Sequence, residues 1–399
     1  MIEGGALVKN GHIQQQLNQQ VPDASDWLAL SLLPRLGAGR LKQWHHERRA
    51  WPQQWLEALS VPQRHYFLYL RHPQGHGQVL QPMLDWCTAE SSRALLHPDH
   101  PAWPALLNEL PDPPLVLWAW GNLACLEQPA IAIVGSRHPS SAGRHHAQAF
   151  ARALAEAGSC IVSGMALGID AQAHEGALSA EGATIAVVGS GLDHTYPRQH
   201  RSLQQRILNA GGLLLSEHPP ATEARPAFFP RRNRIITGLS RGVLVVEAAL
   251  RSGSLISARL ALEQNRDVFA LPGALEASLS AGCHALIRQG ATLVTTPTDI
   301  IEELGGPWRA SSIQGAENRP ACREGGERQR AGHDPQAQRW LVLLRDGAVS
   351  LDELVLRSGC SVSDTLNALL ALELAGQVVM CGNGWTLSAP SSESGAQTR

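Results

Sequence analysis

The chain has 399 residues, 44% of them apolar and 17% charged, with a formal net charge of -2. It is too long for one ordinary core and too apolar for a disordered chain, so two or three globular domains are expected. With no run of 18 apolar residues and no basic-then-apolar pattern in MIEGGALVKN, the sequence argues against a membrane-spanning helix or signal peptide and predicts a cytoplasmic protein.

Residues 20–95 read as a small N-terminal helical domain of the SAM or helix-hairpin-helix kind. DWLALSLLPRLGAGRLKQWHH places apolar residues at helical spacing on both sides of a Gly37-Ala38-Gly39 turn. The turn's amides are suited to a phosphate, although an ordinary helical hairpin fits the pattern equally well. A Pro- and Trp-rich connector, HPDHPAWPALLNELPDPPLVLWAWGN, runs to about residue 127 without clear periodicity.

From 128 to 304 strand-like runs alternate with helical segments. The runs are AIAIV (130–134), CIVS (160–163), TIAVV (184–188), GLLLS (212–216), VLVVE (243–247), DVFAL (267–271) and ATLVT (291–295). Strands apolar on both faces, alternating with helices, predict a Rossmann-like doubly wound, mostly parallel α/β sheet with its ligand outside the C-terminal strand ends. Residues 305–335 form a polar Gly/Arg/Glu linker with no expected fold. Residues 336–388 read as three short helices and a β-hairpin around Gly382-Asn383-Gly384, a winged-helix pattern. The tail 389–399 is Ser-containing and polar, and is expected to be disordered.

The turns after the strands carry the chemistry. GSRHPSSAGR supplies Gly135 for close backbone approach, the Ser136 hydroxyl and Arg137 as a charge-assisted donor, all just before a helix N-terminus. It is not GxGxxG, and the next strand ends in Ser163-Gly164 with no acid for a ribose, so dinucleotide binding is disfavoured. In SGMALGIDAQAHEGAL, Asp170 suits an N-cap. Asp170 and His174 share a helical face, but no third ligand or nucleophile stands at useful spacing, so packing outranks catalysis or metal binding. Gly189 and Gly191 form a third small turn, and Ser252-Gly253-Ser254 opens another helix.

FPRRNRIITGLS stands between the fourth and fifth strands of this series. From Arg225 to Val246 the chain has Arg225, Arg231, Arg232, Arg234 and Arg241 and no carboxylate. Arg231 and Arg234 would share a helical face while Arg232 points elsewhere. Asn233 can bond a base edge or a turn amide, and Phe228 and Phe229 can stack on bases or pack in the core. Five neutralised phosphates would cost about a hundredfold in single-strand affinity between roughly 50 and 200 mM salt. Cys87, Cys125, Cys160, Cys283, Cys322, Cys360 and Cys381 contain no CxxC and are odd in number, which disfavours a disulfide framework or zinc site. No catalytic residue, metal site or cofactor is assigned.

GSRHPSSAG, SGMALGIDAQAHEGAL, TIAVVGSGLDHTYP, SEHPP, FPRRNRIITGLS, VVEAALRSGSLISARLALEQNRDVFALPG and LIRQGA resemble, in order and spacing, the motifs of the DprA/Smf family of DNA-processing proteins over residues 95–304. The resemblance implies a homodimer, joined through the Rossmann-like domain, that binds and protects incoming single-stranded DNA during natural transformation and loads RecA recombinase onto it. It is not an enzyme family. Carried onto this chain, the phosphate-pocket positions are Gly135, Ser136, Arg137, Gly164, Arg232, Asn233, Arg234, Ser252, Gly253 and Ser254. His284 stands where the family has asparagine, and an imidazole replaces an amide's hydrogen bonds only in part. Residues 358–387 contain no Lys or Arg, so the winged helix is expected to contact protein rather than DNA. The alternative is a nucleotide-binding phosphoribohydrolase of the lysine-decarboxylase-like group, whose PGGxGT motif and following glutamate have no counterpart in RSGSLIS. A third reading is a scaffold holding one small phosphate ligand.

Overall fold

The computed structural model describes residues 21–72, 79–305, 343–344, 351–358, 365, 368–369, 372, 378–381 and 384–387. They fall into two units, Met1–Asn318 and Arg319–Arg399.

The first unit opens with short helices that begin where the sequence offers caps. The Asp23 side chain accepts from Asp26 N, and Asp26 reciprocates, starting α1 (Ala24–Ser31). Gly37 precedes α2 (Ala38–His46), and α3 (Gln53–Ala58) follows. Ser60 and Gln63 form a second capping box for α4 (Val61–Arg71), and α5 (Gln81–Thr88) completes the group. Their apolar stripes converge on Trp55, whose ring meets Trp27, Trp44 and Trp51 edge-on at 5.6 Å.

A nine-stranded sheet follows, in the order β1-β2-β6-β5-β4-β3-β7-β8-β9. Its seven parallel strands are β3 (Ala130–Val134), β4 (Cys160–Ser163), β5 (Thr184–Val188), β6 (Leu213–Ser216), β7 (Gly242–Val245), β8 (Asp267–Ala270) and β9 (Thr292–Leu293). Every residue of β3 to β7 is buried, because helices cover both faces. α6 (Ser141–Glu156) and α7 (Ile169–Ser179) pack with Ile131, Ile133 and Ile161 on one face. α9 (Phe228–Gly238) and α10 (Ser254–Glu263) pack with Ala132, Val162 and Val243 on the other. α8 (Arg201–Asn209) joins Trp118, Ala186, Val188 and Leu214 to the cluster that holds Trp27 and Trp55. The N-terminal helices therefore share a continuous apolar core with the sheet.

The connector departs from its sequence reading. It supplies β2 (Leu117–Gly121), and β1 (Arg93–Leu96) lies just before it, at the end of the stretch 20–95 expected to be helical; the two pair antiparallel with each other and, through β2, with β6. LWAWG alternates poorly because both faces of β2 are covered at this edge, so a period-2 test misses it. α11 (Ala281–Arg288) precedes β9 in the chain and α12 (Pro297–Glu303) follows it.

In the second unit α13 (Leu351–Ser358) and the hairpin β10 (Val378–Cys381) and β11 (Gly384–Leu387) are described. Leu344, Leu354, Leu369, Leu372, Val378 and Trp385 form one apolar cluster. Gly384, expected in the hairpin turn, opens β11 opposite Cys381. The expected linker, the tail, most of the expected helices 337–347 and 361–376, and the turn residues Gly382 and Asn383 lie outside the described residues.

Trp55→Ala removes the hub of the aromatic cluster, a side chain 2% exposed. It should lower unfolding free energy by about 3–5 kcal/mol, read from the urea midpoint.

Candidate functional site

The strand order reverses between β3 and β7, which lie side by side although β4, β5 and β6 come between them in sequence. At that switch point the loops leaving the two strands splay apart. A cleft of about 630 Å³ opens there, lined on one side by Gly135, Ser136 and Arg137 and on the other by Arg251, Ser252, Gly253 and Ser254. The first turns of α9 close it with Phe229, Arg232 and Asn233, and Tyr196 stands at its edge.

Arg137 is exposed and its guanidinium carbon lies 5.8 Å from the Phe229 ring centroid. Tyr196 covers the same ring at 5.1 Å. Phe229 thus neighbours both a cation and a second aromatic ring. Phe228 stacks on His218 at 3.8 Å instead of facing the cleft. Ser252 Oγ and Ser254 Oγ are 2.6 Å apart and mark the start of α10. Tyr196 also borders a second cleft of about 570 Å³ that carries Arg198 and Arg201.

Arg232 occupies the floor, 5% exposed. Its Nη1 donates to Gly164 O at 2.6 Å and to Val187 O, its Nε donates to Asn233 Oδ1 at 3.1 Å, and Nη2 lies 3.9 Å from Asp170 Oδ2. Burial pulls its pKa down to about 10, with Asp170 opposing the shift and Arg137 adding to it. Burial raises the Asp170 carboxyl, against the pull of Arg232 and the amides of Ala166 and Gly164. Asp170 is not the N-cap expected from sequence. Gly168 holds that position with φ 78°, and the carboxylate reaches back to Gly164 N at 3.2 Å and Ala166 N at 3.4 Å. Gly164 does not line the cleft; a Cβ there would sit 2.1 Å from Arg232 Nη1. It is the space into which the guanidinium fits.

Arg234 is a correction to the sequence reading. It faces away from the cleft, 8% exposed, with Nη2 2.5 Å from Glu217 Oε1 and Nε 3.5 Å from Asp112 Oδ2. Arg231 also meets Glu217, Nε to Oε2 at 3.3 Å. Residues two apart on a helix point in nearly opposite directions, so Arg232 and Arg234 cannot serve one pocket. The structure brings together Gly135, Ser136, Arg137, Arg232, Asn233, Ser252, Gly253 and Ser254, holds Gly164 beneath them and sends Arg234 elsewhere. Arg251 and Tyr196 were not selected from sequence, although Arg251 directly precedes the chosen Ser252 and Tyr196 stands in a quoted turn. Another loop anchor, His284, lies 3.1 Å from Gly273 O through Nε2 and does not line the cleft.

His174 is fully buried. Thr184 Oγ1 donates to Ile161 O at 2.7 Å, so His174 Nδ1 must carry the proton it donates to Thr184 Oγ1 at 2.7 Å. Nε2 has no hydrogen-bond partner. Burial lowers its pKa to about 3, with His200 and Arg232 adding to the effect. This imidazole is a packed neutral group. Among the described residues no cluster of His, Cys, Asp or Glu is arranged to hold a metal ion, and no helix is long and apolar enough to cross a membrane.

A family model described as DNA recombination-mediator protein A matches residues 94–305, and one described as the DprA winged helix domain matches residues 326–384. The chain is 42% identical over 293 residues to Protein Smf of Escherichia coli, covering 73% of this chain and 76% of that protein. It is 48% identical over 201 residues to the DNA processing protein DprA of Streptococcus pneumoniae, covering 50% of this chain and 71% of that one. An X-ray structure of the Streptococcus pneumoniae protein superposes with a TM-score of 0.60 at 36% identity, over 71% of this chain and 98% of that chain.

Two outcomes follow from the site's electrostatics. Arg232→Ala leaves the buried Asp170 without its cation and should cost about 3–5 kcal/mol of stability, whereas Arg137→Ala should stay within about 0.5 kcal/mol of wild type in urea unfolding. A histidine with a depressed folded pKa binds fewer protons folded than unfolded. Its contribution is complete above pH 6.5 and lost as pH falls toward 3. His174 should therefore remove about 2 kcal/mol between roughly pH 7 and 5, a drop that shrinks in His174→Gln.

Proposed function

The chain belongs to the DNA recombination-mediator protein A (DprA/Smf) family, and on that footing we propose that it binds single-stranded DNA across the C-terminal edge of its sheet without cleaving it. The observation that carries the reading is the cleft between the β3 and β7 loops, whose lining includes Arg137 and Arg251 together with small residues. Backbone amides and hydroxyls of such turns suit phosphate oxygens, and Tyr196 offers an aromatic edge for unpaired bases. The neighbouring cleft on the far side of Tyr196 carries Arg198 and Arg201 beside Asp193 and Glu223, so its two arginines can reach a passing phosphate although the cleft as a whole is not cationic. A chain of phosphates uses both clefts; one nucleotide would need only the first.

A hydrolytic reading is weaker. Glu247, just beyond β7, is directed at Ser140 and does not line the cleft. Asp170 is engaged by Arg232 and His174 by Thr184.

The proposed setting is the cytoplasm, where a homodimer receives incoming strands in natural transformation, shields them and loads RecA recombinase. The winged-helix domain, with no Lys or Arg between 358 and 387, serves protein contact in this scheme.

Fluorescent oligo-dT should bind tightly, lose about fiftyfold in affinity between roughly 50 and 200 mM salt for four neutralised phosphates, and outcompete duplex. Arg137→Ala and Arg251→Ala should each weaken it about tenfold, equal to about 1.4 kcal/mol, and Arg234→Ala far less. Wild-type affinity in Arg137→Ala would refute the cleft, and release of free base from AMP would establish the enzyme instead.

A further inference from the structure

At the switch point a carboxylate stands just outside the anion cleft, against the loop that carries Arg137. Glu247 stands two residues beyond the end of β7, and it grips the β3–α6 loop at both ends. Its main-chain oxygen accepts from Ser136 N at 2.7 Å. Its carboxylate accepts from Ser140 N at 2.9 Å and from Ser140 Oγ at 2.5 Å. Ser140 Oγ in turn accepts from Gly143 N at 2.9 Å and caps α6.

The side chain lies flat on the first turn of that helix. A Cβ on Gly143 would be 2.3 Å from Glu247 Cδ, so glycine there is what admits the carboxylate. A negative group at a helix N-terminus is stabilised by the unpaired amides and the aligned peptide dipoles. In a dinucleotide fold that terminus receives the pyrophosphate; here the protein's own carboxylate fills it.

Between the two gripped residues stands Arg137, whose guanidinium rests over Phe229 in the cleft. The opposite side of the loop is held by α7, through Ile169 N donating to Ser136 O at 3.1 Å. We infer that Glu247 is a positioning residue that touches no DNA: its carboxylate occupies the α6 N-terminus and tethers Ser140, adding to the main-chain bond from Ser136, and so holds Arg137 aimed into the cleft. The inference rests on the proposed DNA-binding reading. Its physical content is preorganisation, since a loop already fixed in its bound form loses less entropy on binding.

A double-mutant cycle tests it. Glu247→Ala should weaken oligo-dT binding about tenfold in the wild-type background and have no further effect in Arg137→Ala, because the residue it positions is gone. Hydrogen exchange at residues 136–140 should accelerate in Glu247→Ala. Glu247→Gln, whose amide oxygen still accepts from Ser140 N, should recover most of the affinity. If Glu247→Ala does not yield folded protein, Ser140→Ala deletes one side of the tether and should show the same coupling at smaller size. Equal losses in both backgrounds, no loss at all, or a Gln variant as weak as the Ala variant would each overturn the inference. If Arg137→Ala itself binds normally, the DNA-binding reading fails first, and the positioning role falls with it.

Discussion

The Arg232 guanidinium, buried against Asp170 and two strand-end carbonyls, is the interaction on which the cleft depends. It ties α9 to Gly164 beyond β4, to Val187 in β5 and to the first turn of α7. Removing a cation of this size from water is costly unless hydrogen bonds and an opposite charge compensate. Here carbonyls, an amide oxygen and a carboxylate share that task. The result is a rigid floor whose charges largely cancel, beneath walls that carry exposed arginines.

That arrangement explains how a chain of formal net charge -2 accommodates a dense arginine run. The run is not a uniform cationic surface. Arg232 is neutralised from below by Asp170, and Arg231 and Arg234 are neutralised from the side by Glu217, with Asp112 also near Arg234. The arginines that face the open cleft, Arg137 and Arg251, come from loops far apart in sequence. Local field, not total charge, decides what a groove attracts. Glu247 fits the same logic, because its carboxylate is consumed by α6 and Ser140 before it can oppose an incoming anion.

The parallel strands were legible because burial on both faces forces near-continuous apolar runs, and each run ends in a turn that must bring the chain back over the sheet. AIAIV, CIVS and TIAVV became β3, β4 and β5 without a shift in boundary. β1 and β2 were not legible. Antiparallel strands of four and five residues, one before and one within a Pro- and Trp-rich stretch, carry no distinctive period. The loops at the strand ends could be selected by their small residues. Side-chain direction within α9 could be paired, 231 with 234 and against 232, but not assigned to cleft or flank.

The amino-acid sequence alone determined the alternation of strand and helix, the family of motifs and the set of turns fit for phosphate, since each is written in local pattern and spacing. Tertiary structure alone decided which turns meet. β3 and β7 become neighbours only through the strand order, and that adjacency brings Arg137, Arg251 and Ser254 to one cleft. It also decided which arginines are free, because Glu217, Asp112 and Asp170 reach the cluster from outside its own stretch of chain. Local sequence encodes what a residue can donate; only the fold determines which acceptor it meets first.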